Sequence, residues 1–229
     1  MMKWPLLTLM LLLAALSVSA DAKLEILSNR FDFGMIPNQS TVSHQFWFRA
    51  SGSDTVKIQT IKTGCQCTTM PLEQDWLAPG DSMKVKVTWE LGRRIGNTGQ
   101  YPRVFIVDNP EPHYISLIGN AAQALDILRP VSIKPYKATF ARTSSHSIDS
   151  VGFTLTNHSD EDLDLNIVSY PSESYEVSFP AQVAGGSAAE GYVKITPQTS
   201  DSEFKGSITI EFEGAKKNRL TIPVQRKFY

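Results

Sequence analysis

The chain has 229 residues, 41% hydrophobic and 20% charged, with 22 Lys+Arg against 23 Asp+Glu and a net charge of −1. This is a globular composition, and at roughly 100–200 residues per domain the length admits one large domain or two small ones. The charge balance excludes a strong electrostatic footprint for nucleic acid, and a total of 2 cysteines excludes a scaffold built from disulfides.

The first twenty residues differ in kind from the rest. Lys3 gives a positive start, Leu6 to Leu16 is almost wholly apolar, and Ser17-Val18-Ser19-Ala20 is a run of small residues. Val18 and Ala20 fit the −3 and −1 positions of a signal-peptidase site, so residues 1–20 read as a signal peptide cleaved after Ala20, with Ala22 as second choice. The apolar run is shorter than the about 20 residues a membrane span needs, and no Cys follows it to carry a lipid. The expectation is an exported protein, periplasmic in preference to extracellular, with no transmembrane segment in the mature chain.

Beyond residue 22 apolar side chains recur at every second position. In chain order, Phe31/Phe33, Phe46/Phe48, Val56/Ile58 and Met83/Val85/Val87/Trp89 show it first. Val151/Phe153/Leu155, Leu163/Leu165/Ile167, Tyr175/Val177/Phe179, Val193/Ile195, Ile208/Ile210/Phe212 and Leu220/Ile222/Val224 continue the series. A period of two puts these side chains on one face of a strand and the intervening Lys, Asp and Thr on the other. Turn residues such as Pro37-Asn38, Ser51-Gly52-Ser53-Asp54, Pro79-Gly80-Asp81 and Gly185-Gly186-Ser187 fall between the runs. Short strands at this spacing predict an all-β sandwich or barrel.

The pattern also repeats. With Phe46 laid over Phe153, an offset of 107 residues, Val56 and Ile58 fall on Leu163 and Leu165, and Gly99 falls on Gly206. Each copy is the size of one immunoglobulin-like sandwich. The predicted organisation is a first domain over 23–122 and a second over 125–229, joined near Ala121 to Leu128.

The first copy carries an ordered set of motifs: Phe31-Asp32-Phe33-Gly34-Met35-Ile36, then Thr63-Gly64-Cys65-Gln66-Cys67-Thr68, then Pro79-Gly80, and a closing Leu117-Ile118-Gly119. Over roughly residues 30–120 it resembles a bacterial family of exported immunoglobulin-like domains of unknown function, with Phe-x-Phe-Gly and Cys-Gly-Cys-Thr signatures. That family looks related to β-sandwich modules of ciliary and centrosomal scaffold proteins. Gln66 stands where the family has Gly, and Ser172 and Ser174 fall at the cysteine positions of the second copy. The resemblance implies a fold and a compartment, and no enzymatic activity.

Cys65 and Cys67 are the chemically distinctive pair. On a strand, residues i and i+2 face one side with Cα atoms about 6.6 Å apart, near the upper limit for a disulfide. A bond would need a bend in the chain and would be readily reduced. The alternatives are two small buried hydrophobes, a local disulfide, thiol–disulfide chemistry, or a soft metal site. In the last, Cys65, Cys67 and Met70 supply two thiolates and a thioether, a set that suits Cu(I). His44 or His113 would have to approach from elsewhere. A redox enzyme more often places Cys-x-x-Cys at a helix start.

Other features read as structural. Arg93-Arg94 and Lys216-Lys217 look like solvated turn charges. Asp160-Glu161-Asp162 looks like a polar turn, since a calcium loop needs 6–8 oxygens. Trp47, Trp76 and Trp89 read as core filling, with Trp76 alone in a loop-like setting.

The reading is an exported, non-catalytic tandem immunoglobulin-like protein that binds or scaffolds another cell-envelope protein through strand edges or the interdomain groove. It needs no cofactor. A periplasmic Cu(I)-binding or thiol-redox protein is the first alternative. A pilus-type periplasmic chaperone is the second, and its long alternating strand would have to come from Val104 to Val107.

Overall fold

The computed structural model describes residues 21–199, 201–213 and 218–229. The signal-peptide reading of residues 1–20 and the Lys216-Lys217 pair lie outside the described residues. The described residues are all-β, with one short 3-10 turn among them at Pro197–Thr199, as the alternation predicts. The apolar runs named above lie in strands, except that Phe179 falls one residue past the strand Tyr175–Ser178; most of their alternate side chains are buried, and Met83, Val151, Ile167, Val177 and Phe179 are half-buried.

The first sandwich begins with β1 (Leu24–Leu27), β2 (Arg30–Pro37), β3 (Thr41–Ala50) and β4 (Val56–Lys62). It continues with β5 (Thr68–Thr69), β6 (Trp76–Leu77), β7 (Ser82–Glu90) and β8 (Gly96–Gln100), then β9 (Arg103–Ile106), β10 (His113–Tyr114) and β11 (Ser116–Ala122). One layer is ordered β1-β3-β7-β5; the facing layer is β10-β9-β4-β6 together with β2-β11-β8. The second sandwich runs through β12 (Val131–Lys134), β13 (Ala138–Arg142), β14 (Ser150–Asn157), β15 (Leu163–Ser169) and β16 (Tyr175–Ser178). It ends with β17 (Gln182–Val183), β18 (Ala188–Ile195), β19 (Phe204–Glu213) and β20 (Asn218–Phe228). Its layers are β12-β14-β18-β16 and β17-β15-β19-β20, with β13 also on β20.

The sequence repeat is a repeat of topology. β1-β3-β7-β5 and β12-β14-β18-β16 have the same order, and β12 lies one 107-residue offset beyond β1. β2 runs parallel to β11 as β13 runs parallel to β20. Two separate apolar cores result. One is built around Phe33, Phe46, Phe48 and Trp89, the other around Phe140, Phe153, Tyr175 and Ile210.

The alternation does not reveal how the two halves meet. β2 and β20 pair in parallel at Met35 and Leu220, so one large sheet, β17-β15-β19-β20-β2-β11-β8, crosses from one half to the other. Strands β19 and β20 are consequently buried on both faces. Ser207, Thr209, Glu211 and Thr221, which the period of two assigns to a solvated face, are buried as well. Their hydrogen bonds are satisfied across the seam or within the β19–β20 hairpin. The Thr221 hydroxyl donates to the Phe33 carbonyl at 2.6 Å and lies 2.9 Å from the Thr209 hydroxyl. Ser207 Oγ accepts from the Ser43 amide and donates to the Ser43 carbonyl, both at 2.9 Å. Buried polar groups are tolerated where such partners exist.

Candidate functional site

The seam shapes a cleft of about 780 Å³ lined by residues of both halves. Its floor is set by the Phe-x-Phe-Gly motif. Gly34 has φ +65°, and a Cβ there would lie 2.1 Å from the carbonyl oxygen of Arg219, so only glycine lets β20 approach β2 this closely. The Gly34 amide donates to Asp32 Oδ1 at 2.8 Å.

Across the β19–β20 hairpin Arg219 stands directly opposite Glu211. Arg219 Nε and Nη2 each lie 2.6 Å from Glu211 Oε2, and Nη1 donates to the Asp32 carbonyl at 3.1 Å. The guanidinium also sits 5.7 Å from the Phe31 ring centroid. Phe31 stacks on His44 with centroids 3.6 Å apart, and His44 Nδ1 is 2.8 Å from Ser169 Oγ. Burial, and then the nearby Arg219 charge, lower the His44 pKa from 6.5 to about 4, so the ring is neutral at pH 7.

The other wall is β8. It ends the large sheet, with β11 on one side and no strand on the other among the described residues. Antiparallel pairing to β11 leaves the backbone N–H and C=O of alternate β8 residues pointing outward. The strand reads Gly-Asn-Thr-Gly-Gln, without the charge or proline that commonly blunts an edge. Asn120 Nδ2 donates to Asn97 Oδ1 at 2.9 Å, and Tyr101, 62% exposed, stands at the mouth. The charges facing the cleft are of both signs.

None of these cleft residues stood out in the sequence as a ligand contact. The available signals were the Phe-x-Phe-Gly and closing Leu-Ile-Gly motifs, which supply Asp32, Gly34, Ile118 and Gly119, and the pairing of the last two apolar runs as a hairpin, which places Glu211 opposite Arg219.

Cys65 and Cys67 are joined in a disulfide with a Cα–Cα distance of 5.2 Å. The strand geometry assumed for them is corrected here: β4 ends at Lys62, and Cys65-Gln66-Cys67 is a turn leading into β5, which brings the Cα atoms within bonding range. Thiolate ligation of Cu(I) would require the reduced pair. Met70, the suggested third ligand, is buried in the first core. His44 is stacked at the seam rather than near the cysteines, and no group of three or more His, Cys, Asp or Glu among the described residues is placed to hold a metal ion. Closing so short a loop contributes on the order of 1–2 kcal/mol, against about 3 kcal/mol for a 15-residue loop.

The remaining candidates separate. Trp89 is core, but Trp47 and Trp76 are exposed, on opposite layers, and Trp76 lies in β6 rather than a loop. The side chain of Asp162 accepts the Gly185 amide at 3.0 Å, tying two turns together. Val104 and Ile106 of β9 are buried in the first core, so that short run presents no exposed alternating strand.

Residues 24–121 match the family described as Protein of unknown function (DUF1573). No curated protein matches the chain. Among solved structures, a protein of unknown function from Porphyromonas gingivalis W83 is similar at 8% identity, covering 89% of this chain and 99% of its own, with a TM-score of 0.37. The ASH/PapD-like domain 7 of human CEP192 is similar at 16% identity over 45% of this chain and 87% of its own, TM-score 0.37. The E. coli chaperone DraB is similar at 11% identity over 87% of this chain and 95% of its own, TM-score 0.34.

Proposed function

We propose that this is an exported, non-catalytic binding protein that holds another cell-envelope protein in the cleft between its two sandwiches. The observation that carries the reading is the cleft itself, lined by β2, β11, β8 and β20, with the unpaired edge of β8 beside it. The outward N–H and C=O groups of that edge suit an added strand of a partner. The cleft's mixed charges and Asn97, Asn120 and Tyr101 suit polar recognition. Export and a periplasmic setting are supported by the signal-peptide pattern of residues 1–20 and by a disulfide, which persists in oxidising compartments.

The test is affinity capture from native envelope extract with the unaltered protein, an Asn97→Lys/Tyr101→Ala double variant, and Tyr192→Ala as a control on the exposed β18. The expected result is one envelope protein retained by the unaltered chain and by Tyr192→Ala, and reduced at least tenfold by the double variant. Equal retention by all three, or none, contradicts the reading.

A further inference from the structure

We propose that the Cys65–Cys67 disulfide is an exchange centre that accepts two electrons from a dithiol on a partner protein. This goes beyond binding in the cleft and rests on different residues.

Four observations carry it. The bond spans only two residues, so it constrains the unfolded chain little, and the first sandwich has its own apolar core. The two sulfurs are not equivalent. Cys67 packs against that core, whereas Cys65 Sγ is turned toward the end of the open strand, 3.5 Å from Gln100 Oε1. The approach is open, since Gly64 and Gln66 on either side of Cys65 are exposed, and nothing lies within 4 Å of where a Gly64 Cβ would be.

The fourth observation comes from the repeat. The matching turn of the second sandwich, Ser172-Glu173-Ser174, is a contact between protein modules. Glu173 Oε1 accepts from Gln45 Nε2 at 2.8 Å, and Ser172 lines a pocket closed by His44 and Trp47 of the first sandwich. The equivalent turn of the first sandwich, where the disulfide replaces the two serines, is the position assigned here to the partner.

The chemistry balances as a stoichiometric exchange. A thiolate of the partner dithiol attacks Cys65 Sγ; the Cys65–Cys67 bond breaks, and Cys67 leaves as a thiolate. The Thr68 hydroxyl, 3.9 Å from Cys67 Sγ and 3.7 Å from Cys65 Sγ, is the nearby donor to the sulfur that carries the charge. The partner's second thiolate then attacks its own sulfur in the mixed disulfide and releases Cys65 as a thiolate. The partner dithiol ends as a disulfide, having lost two electrons and two protons; Cys65 and Cys67 end as thiols, having gained them. Rates of such exchange depend on which sulfur is accessible and on the leaving thiolate.

The test has two arms. In the first, the unaltered folded protein is incubated with dithiothreitol without denaturant, quenched in acid, alkylated and weighed, while Trp fluorescence and circular dichroism are followed. The expected result is joint alkylation of both cysteines with the native spectra retained. Resistance to dithiothreitol until denaturant unfolds the first sandwich, or loss of native spectra on reduction, overturns the proposal and leaves the bond as a structural lock. In the second arm, Cys67→Ser and Cys65→Ser are each reacted with oxidised glutathione. Cys65 in the first variant is expected to form the mixed disulfide at least tenfold faster than Cys67 in the second. Equal or reversed rates overturn it.

Discussion

At the scale of single residues, the seam depends on groups whose roles are set by what lies opposite them. His44 is the clearest case. It is held neutral between Phe31, Phe46 and Ser169, with the Arg219 charge nearby. In the unfolded chain it takes up a proton below its ordinary pKa of 6.5, while in the fold it does so only below about 4. Its contribution to stability is therefore complete above pH 6.5 and is lost as pH falls from there to about 4. The total loss is about 3 kcal/mol. Denaturant unfolding of the unaltered protein and of His44→Gln at pH 7 and pH 4 checks this: the stability gap between them narrows on acidification if the histidine is the group responsible, and stays constant if it is not. The sequence singled out His44 only as a metal ligand that would have to approach Cys65 and Cys67 from elsewhere. Its partner Ser169 lies 125 residues away, beyond what any local pattern can join.

At the scale of elements, the period of two found the strands and their apolar faces but missed that β19 and β20 bury both faces. The reason is physical. Ser207, Thr209 and Thr221 look solvated in a pattern, because hydroxyls satisfied by a distant strand and hydroxyls satisfied by water are the same residues. Two substitutions separate these cases. Ser207→Ala removes the partner of both the Ser43 amide and the Ser43 carbonyl, and is expected to cost about 1–3 kcal/mol; a surface serine would cost almost nothing. Gly34→Ala forces a Cβ into the Arg219 carbonyl at a positive φ. The expected destabilisation is about 1–3 kcal/mol or more, with β20 pushed from β2. Thermal unfolding of both variants decides it: midpoints unchanged from the unaltered protein would mean that β2 and β3 do not meet the β19–β20 hairpin in solution. The glycine of Phe-x-Phe-Gly was visible as a motif, but its purpose, the close approach of a strand from the other half, was not. The Cys-x-Cys turn was similarly visible as a pair and misplaced as a strand. Gly64, at φ +82°, takes the chain out of β4 before Cys65.

At the scale of the molecule, duplication explains the architecture and the seam explains the proposed function. Each half repeats the same strand order, yet the copies are used differently. The β19–β20 hairpin of the second half is packed against the first, while the corresponding region of the first half ends in the open edge of β8. The β8 edge and the disulfide turn belong to the first half, and the cleft is lined by both halves. The cleft depends on the two sandwiches holding a fixed relation through the sheet and the buried hydrogen bonds that join them. Equilibrium unfolding followed by hydrogen exchange, resolved by peptide, measures that relation most directly. Peptides containing Phe46 in the first core and Phe212 in the second are expected to lose protection together, at one denaturant midpoint. Two separate midpoints, with the amides of peptides containing Ser207 and Thr221 exchanging before either core opens, would contradict the account.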